Sequence, residues 1–323
     1  MKVTVLGSGS WGGALALAVY RANNNVSIWS RNESIANEIN NLHSNKKYLP
    51  GIKIPEAIKS FSNLEDVKQS EALILSIPAQ NIRELCKQLL RINISSKIIL
   101  IICSKGIEQN SLKLMSEVIE EILPNNPIAI LSGPNFALEV ANNLPTITSI
   151  SSIDKDIVNE LAHKLHSPNF RIYPNQDIIG TQIIGAAKNV LAIATGITIG
   201  KNLGENAKSA VFSRGICEIN NLLLAKGGKT ETLLSPAGIG DLNLTCSSLT
   251  SRNTTYGMLL AQEKKGSNNS LVEGFYTAES IFMLAKNLKV EMPIAETIYR
   301  VTHQHLPLDQ AIEKLLKRPV ISM

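Results

Sequence analysis

Aromatic residues are scarce in this chain of 323 residues, at 4% of the total. A core here must therefore be assembled from Ile, Leu, Val and Ala. There are only four cysteines, Cys86, Cys103, Cys217 and Cys246, with no CxxC pair, and none lies close in sequence to the histidine pairs His163/His166 and His303/His305. That excludes a recognisable zinc site and a disulfide scaffold, so no metal is expected and a reducing cytosol suits the chain. No basic stripe is visible: 32 basic and 27 acidic residues are spread along the sequence for a net charge of +5. A nucleic-acid partner needs such a cluster, so none is expected. The most apolar stretch, Ile178 to Ile199, is interrupted by Lys188 and Asn189 and by glycines and threonines. It reads as a buried helix that falls short of a membrane span, so stable membrane insertion is not expected. The N-terminal MKVTVLGSGSWGG has one lysine and a short apolar run broken by glycine, unlike a signal peptide. Internal repeats and low-complexity tracts are absent too. What is present is ordinary globular composition, 44% apolar and 18% charged, on a length that suggests two domains in a cytoplasmic protein.

Two styles of patterning follow one another. Up to about residue 175, short aliphatic runs alternate with longer mixed segments: Val3–Leu6, Val26–Trp29, Ala72–Ile77, Ile98–Cys103, Ile128–Leu131, Thr146–Ile150 and Phe170–Tyr173. Most are apolar throughout, as strands covered on both faces are. Intervening segments carry helical spacing, as in Ile82, Leu85, Leu89 and Leu90. This predicts a doubly wound α/β, Rossmann-like sheet domain over residues 1–177. From residue 178 strand-like runs cease. Helical segments are predicted at Ile178–Ile197, Lys208–Lys226, Thr255–Lys264, Thr277–Leu288 and Pro293–Thr302, with polar loops at Ser247–Thr254 and Gly266–Ser270. Residues 178–323 are thus expected to form an all-helical second domain.

The first strand runs directly into Gly7-Ser8-Gly9-Ser10-Trp11-Gly12 and then into an alanine-rich helix. In a strand-to-helix turn, the first glycine of GxGxxG permits the tight turn. The second admits a pyrophosphate to the backbone, and the third lets the helix pack on the strand. The helix N-terminus offers free N–H groups to the anion. The second strand ends at Arg31, where an acidic residue usually holds the ribose. An arginine there suits a 2′-phosphate, favouring NADPH over NADH; the alternative is a solvated loop arginine beside Glu33. Further strand tips on the same sheet edge end in Ser76-Ile77-Pro78-Ala79, Cys103-Ser104-Lys105-Gly106 and Leu131-Ser132-Gly133-Pro134-Asn135-Phe136-Ala137. Open α/β sheets bind ligands at such carboxyl ends.

In the helical half, Lys188 and Asn189 are the only strongly polar residues of Ile183–Ile197. A lysine so placed finds a partner, loses its charge or snorkels to the surface. A buried lysine of lowered proton affinity is a natural proton-transfer group. Asp241 follows Ser235-Pro236-Ala237-Gly238-Ile239-Gly240 and either pairs with Lys188 or caps a helix. Ser251-Arg252-Asn253 suits a phosphate, or is a solvated loop.

Taken together, GSGSWGGALA, CSKGIE, SGPNFA, GAAKNVLAIATG, AGIGDLNLTCSSLTSRN and LVEG, in this order and over essentially the whole chain, resemble the bacterial NAD(P)-dependent glycerol-3-phosphate dehydrogenases. The resemblance implies a sheet domain followed by a helical domain like that of 6-phosphogluconate dehydrogenase. It implies interconversion of dihydroxyacetone phosphate and sn-glycerol 3-phosphate by hydride transfer, with NADPH/NADP+ as cofactor and NADH/NAD+ as the alternative. The product would supply phospholipid synthesis, and the chain would form a homodimer. Gly7, Gly9, Ser10, Trp11, Gly12, Arg31, Lys105, Ala137, Arg252, Leu271 and Glu273 match cofactor positions. Lys105, Gly133, Asn135, Lys188, Asn189, Asp241, Thr245, Ser251, Arg252 and Asn253 match substrate positions. Lys188 matches the catalytic proton acceptor, with Lys105 and Asp241 beside it. At residue 135 the family often carries Ser or Thr, so Asn135 is a departure. A β-hydroxyacid or 6-phosphogluconate-type dehydrogenase would share the fold and the helix lysine, but would act on carboxylates. A non-catalytic NAD(P)-sensing regulator would need a partner-binding element that the sequence does not display.

Overall fold

The structure, a computed structural model, describes residues 1–263 and 272–318. It divides into two compact units: Met1–Ser104 with Met115–Ile178, and Lys105–Leu114 with Ile179 onward. The expected division at 177/178 assigned residues 105–114 to the first domain. Ile107 and Leu114 instead bury their side chains in the helical core, so this segment belongs to the second unit.

The first unit runs β1 (Lys2–Leu6), α1 (Ser10–Arg21), β2 (Asn25–Trp29), α2 (Glu33–Leu42), β3 (Lys59–Phe61), β4 (Ala72–Leu75), α3 (Ile82–Arg91), β5 (Ile99–Ile102), α4 (Met115–Ile122), β6 (Ile128–Ser132), α5 (Ala137–Ala141), β7 (Thr146–Ser151), α6 (Lys155–Leu165) and β8 (Phe170–Asn175). Its eight strands form one sheet in the order β3-β2-β1-β4-β5-β6-β7-β8. β4, β5 and β6 are buried at every residue, as strands with both faces covered must be. All pairs are parallel except β6 with β7, where Ser132 faces Ser149 across an antiparallel ladder. The strand order reverses between β1 and β4, so the turn after β1 sits at the switch point of the sheet. β3 carries no apolar run that would reveal it. It is a three-residue edge strand, Lys-Ser-Phe, recruited by pairing with β2.

The second unit is helical: α7 (Ile178–Gly200), α8 (Glu205–Ala225), α9 (Asp241–Ser247), α10 (Arg252–Ala261), α11 (Glu273–Asn287), α12 (Pro293–His303) and α13 (Leu308–Leu316). By length and composition α7 does suffice to cross a membrane, contrary to the expectation from its polar interruptions. Yet 89% of its most apolar window is buried inside the protein, which makes it a core helix. α7 and α10 touch backbone to backbone. A Cβ on Gly196 would lie 2.0 Å from the Thr254 carbonyl oxygen, and one on Gly257 would lie 2.1 Å from that of Ile193. The polar loop expected at Ser247–Thr254 is shorter than its composition suggests. Ser251 caps α10 by accepting from the Thr254 N–H at 3.3 Å, so Arg252 and Asn253 occupy the first helical turn.

Candidate active site

In the first unit the glycine turn is explained glycine by glycine. A Cβ on Gly12 would lie 1.9 Å from the Gly7 carbonyl oxygen, so helix and strand meet only because residue 12 has no side chain. Gly7 has φ of +123°, and a Cβ there would lie 2.4 Å from the Ser76 carbonyl oxygen. Gly9 differs: nothing lies within 4 Å of its absent Cβ. Protein packing accounts for the outer glycines, while the open space at Gly9 leaves the backbone accessible to a ligand. Gly9 is also the N-cap of α1, where no side chain caps and no acid occupies the first turn. The helix dipole there is offered to an anion. The turn is pinned from the segment after α2, by Asn45 Nδ2 donating to the Ser8 carbonyl at 2.8 Å and Ser10 Oγ donating to that of Tyr48 at 2.8 Å. Sequence reasoning missed this segment because its partners are backbone carbonyls, which leave no residue signature. Trp11 is half-buried against the core. Arg31 is exposed directly after β2, next to Ser30, whose hydroxyl meets that of Ser8 at 2.8 Å.

The tip of β6 is more committed to the fold than the sequence implies. A Cβ on Gly133 would lie 2.7 Å from Thr148 Cα, so close packing on β7 already requires glycine. Asn135 donates through Nδ2 to Thr146 Oγ1 at 2.8 Å and to the Ile147 carbonyl at 2.9 Å. Only its buried Oδ1 has no partner among the described residues. Ala137 is the first residue of α5.

The second unit gathers the charged groups. Lys188 in α7 is 6% exposed and Asp241 is 1% exposed. The tight turn Pro236–Gly240 delivers Asp241 to the start of α9. Its Gly238 has φ −90° and ψ −110°, and a Cβ there would lie 2.2 Å from the Leu233 carbonyl oxygen. Asp241 therefore pairs rather than caps. Its Oδ1 accepts from Lys188 Nζ, and its Oδ2 accepts from Lys105 Nζ at 2.6 Å. Thr245, one helical turn on, accepts from Lys188 Nζ at 2.8 Å and donates to Asp241 Oδ1 at 3.3 Å. One carboxylate thus bridges two ammonium groups. Asp241 and Thr245 take two of the three N–H bonds of Lys188, which leaves one without an acceptor among the described residues.

Burial pushes the Lys188 ammonium down to about 8; Asp241 opposes this and Lys105 adds to it. For Asp241, burial raises the carboxyl, but Lys105 and Lys188 outweigh it and hold the group below its ordinary value. Burial pushes Glu273 up against the pull of Arg252, Lys105 and Lys188.

Asn189 is 3% exposed. Its Oδ1 accepts from Asn253 Nδ2 at 2.9 Å, and Asn253 Oδ1 accepts from the Gly274 N–H at 3.0 Å. That chain fixes the Asn189 amide with its Nδ2 buried and unpartnered among the described residues. A buried donor without an acceptor is costly, and a polar ligand removes the cost. Ser251 is buried at the cap and Arg252 is exposed beside it. Leu271 lies outside the described residues; Val272 and Glu273 carry the rest of its motif. The open turn at Gly9 and the idle Asn189 donor fit a dinucleotide and a polar substrate.

A doubly wound sheet with a phosphate-type turn at its switch point, followed by a helical unit that buries a lysine against a carboxylate, defines the class of two-domain nucleotide-dependent dehydrogenases. The N-terminal profile of NAD-dependent glycerol-3-phosphate dehydrogenases matches residues 2–158, and the C-terminal profile matches residues 177–313. The glycerol-3-phosphate dehydrogenase [NAD(P)+] of Zymomonas mobilis is 43% identical, over 98% of this chain and 93% of that one. That of Ehrlichia chaffeensis is 41% identical, over 98% and 100%. The crystal structure of glycerol-3-phosphate dehydrogenase from Coxiella burnetii superposes with a TM-score of 0.92 at 35% identity, covering 98% of this chain and 99% of that one. A ketopantoate reductase from Ralstonia eutropha shares the fold at a TM-score of 0.62 and 12% identity, covering 97% of this chain and 100% of that one. The chain belongs to the NAD-dependent glycerol-3-phosphate dehydrogenase family.

Proposed function

We propose that this chain interconverts dihydroxyacetone phosphate and sn-glycerol 3-phosphate, and that the reduction supplies the glycerol backbone of phospholipids. The observation that carries the reading is the buried Lys188, held by Asp241 and Thr245 with one N–H to spare among the described residues. When bound, the nicotinamide cofactor supplies the hydride. The first unit, through Gly7–Gly12 and Arg31, would hold the dinucleotide, with Arg31 reading the 2′-phosphate of NADPH; Ala137, Arg252, Leu271 and Glu273 would complete that set.

Reduction places negative charge on the substrate's carbonyl oxygen. Lys188 donates its remaining N–H to that oxygen and then delivers the proton. A group titrating near 8 loses and regains a proton readily at physiological pH. Asp241 keeps Lys188 protonated in an environment that would otherwise neutralise it, and Lys105 polarises the same oxygen. Asn189 donates its idle Nδ2 to a substrate oxygen. Gly133, Asn135, Thr245, Ser251, Arg252 and Asn253 complete the substrate set, with Arg252 and Asn253 on the phosphate. Anchoring that remote phosphate restricts the carbonyl to a reactive orientation. The protein acts in the cytoplasm as a homodimer.

NADPH oxidation followed by fluorescence with dihydroxyacetone phosphate tests the assignment, with a β-hydroxyacid and 6-phosphogluconate as carboxylate controls. Turnover of a carboxylate in preference to the triose would reassign the enzyme. Lys188→Ala should abolish turnover while leaving NADPH binding nearly intact; retention of much of the activity removes Lys188 from the role.

A further inference from the structure

α9 carries both groups that hold Lys188, yet it is only seven residues long. A helix this short has little stability of its own, and its last four carbonyls lack helical donors. Two of these carbonyls are satisfied by buried threonine hydroxyls from neighbouring helices. Thr254 Oγ1 in α10 donates to the Thr245 carbonyl at 2.6 Å. Thr195 Oγ1 in α7 donates to the Cys246 carbonyl at 3.1 Å and shares its hydrogen with the Ala192 carbonyl at 3.0 Å. Both threonines are completely buried. Thr195 stands seven residues after Lys188, two turns along the same stripe of α7. That stripe therefore grips α9 at two points, by side chains at its start and by backbone at its end. Thr254 adds a third point from another direction.

We infer that Thr195 and Thr254 are positioning residues: by anchoring the C-terminal carbonyls of α9 they hold Asp241 and Thr245 in register with Lys188, and so set the proton affinity of the reacting lysine. The inference rests on the proton-transfer role proposed for Lys188. The groups facing Lys188 are Asp241 and Cys246 from α9, Lys105 from the 105–114 segment, and Glu273 from α11. Asp241 favours the ammonium, while burial and Lys105 disfavour it. Releasing α9 weakens the favourable partner and leaves the unfavourable ones in place, so the ammonium is lost at lower pH. No glycine caps the end of α9, where two of the last four carbonyls are satisfied from outside the helix.

The test is the pH dependence of single-turnover dihydroxyacetone phosphate reduction, with NADPH affinity measured alongside. Thr254→Val should move the limb on which activity falls with rising pH downward by about one unit, on the order of a tenfold loss above it. NADPH affinity should be unchanged, and Thr254→Ser, which keeps the hydroxyl, should restore the wild-type limb. Thr195→Val should shift the limb in the same direction. If Thr254→Val does not fold, Thr254→Ala carries the same expectation. A folded hydroxyl-less variant whose limb stays in place, whatever its plateau, overturns the inference. A wild-type profile without any such limb, or one that survives Lys188→Ala, would instead overturn the role given to Lys188.

Discussion

Replacing Asp241 by asparagine removes one negative charge from between two ammonium groups while keeping the side-chain shape. Two unit charges about 4 Å apart interact by about 4 kcal/mol at an effective dielectric constant of about 20, which corresponds to about three pKa units. Asp241 is almost fully buried, so solvent screening reduces this little. Lys188 starts at about 8, because Asp241 already offsets part of the cost of burial. Without the carboxylate it should titrate at roughly 5 to 6, with the repulsion from Lys105 no longer balanced. The sign follows from the direction of proton flow. With Lys188 as the proposed proton donor, reduction needs the protonated lysine, so the wild-type rate should hold below pH about 8 and fall above it, and the oxidation of glycerol 3-phosphate should rise through the same value. In Asp241→Asn the reductive limb should move down by roughly two to three units, costing roughly thirtyfold at neutral pH and returning as the solution is acidified. Single-turnover reduction across the pH range reads this directly. A limb that stays near 8 while the plateau drops would refute the electrostatic account and leave Asp241 an orienting role only.

Two further outcomes are expected. Arg31→Asp should raise the KM for NADPH roughly ten- to a hundredfold, the worth of a charge-assisted contact, with little effect on NADH; an unchanged preference between the two coenzymes means that Arg31 does not read the 2′-phosphate. Glu218 in α8 accepts from the N–H groups of Ile294 at 2.8 Å and Ala295 at 3.3 Å at the start of α12, and burial pushes its carboxyl up to about 7. Because the folded-state value lies above the unfolded one, its contribution is full below pH about 4.5 and is lost as pH rises through about 7, at most about 3 kcal/mol. Chemical denaturation should find Glu218→Gln less sensitive to pH than wild type between pH 5 and 8; parallel curves would exclude Glu218 as the source.

The sheet was legible because its central strands are apolar on both faces, a pattern that needs no context. β3 was not, since three residues at an edge carry no periodicity and exist only through pairing with β2. The glycine turn was legible because each glycine answers a local steric demand. Asp241 was visible, but its role was not. Gly-Asp before an apolar run reads equally as a cap, and only the turn at Gly238 directs the carboxylate to Lys105 and Lys188. The tip of β6 misled in the opposite sense: Gly133 and Asn135 look like ligand contacts, yet much of their chemistry is spent on β7. Residues 105–114 went to the wrong unit because the polar tip of β5 says nothing about where the next two buried side chains pack.

α7 shows why composition alone could not have separated a core helix from a membrane span. Its length and apolarity satisfy both. What decides is Lys188. A lone ammonium in such a helix is unfavourable in lipid and in a protein core alike, and becomes tolerable only where a carboxylate on another element meets it. Asp241 lies 53 residues away in sequence, on a short helix that two threonines hold by its end carbonyls. The charge that makes α7 look interrupted is therefore met inside the core by a carboxylate and a hydroxyl from α9. A substitution such as Lys188→Met would free α7 from Asp241 without disturbing its apolar contacts, but it would leave the carboxylate paired with Lys105 alone.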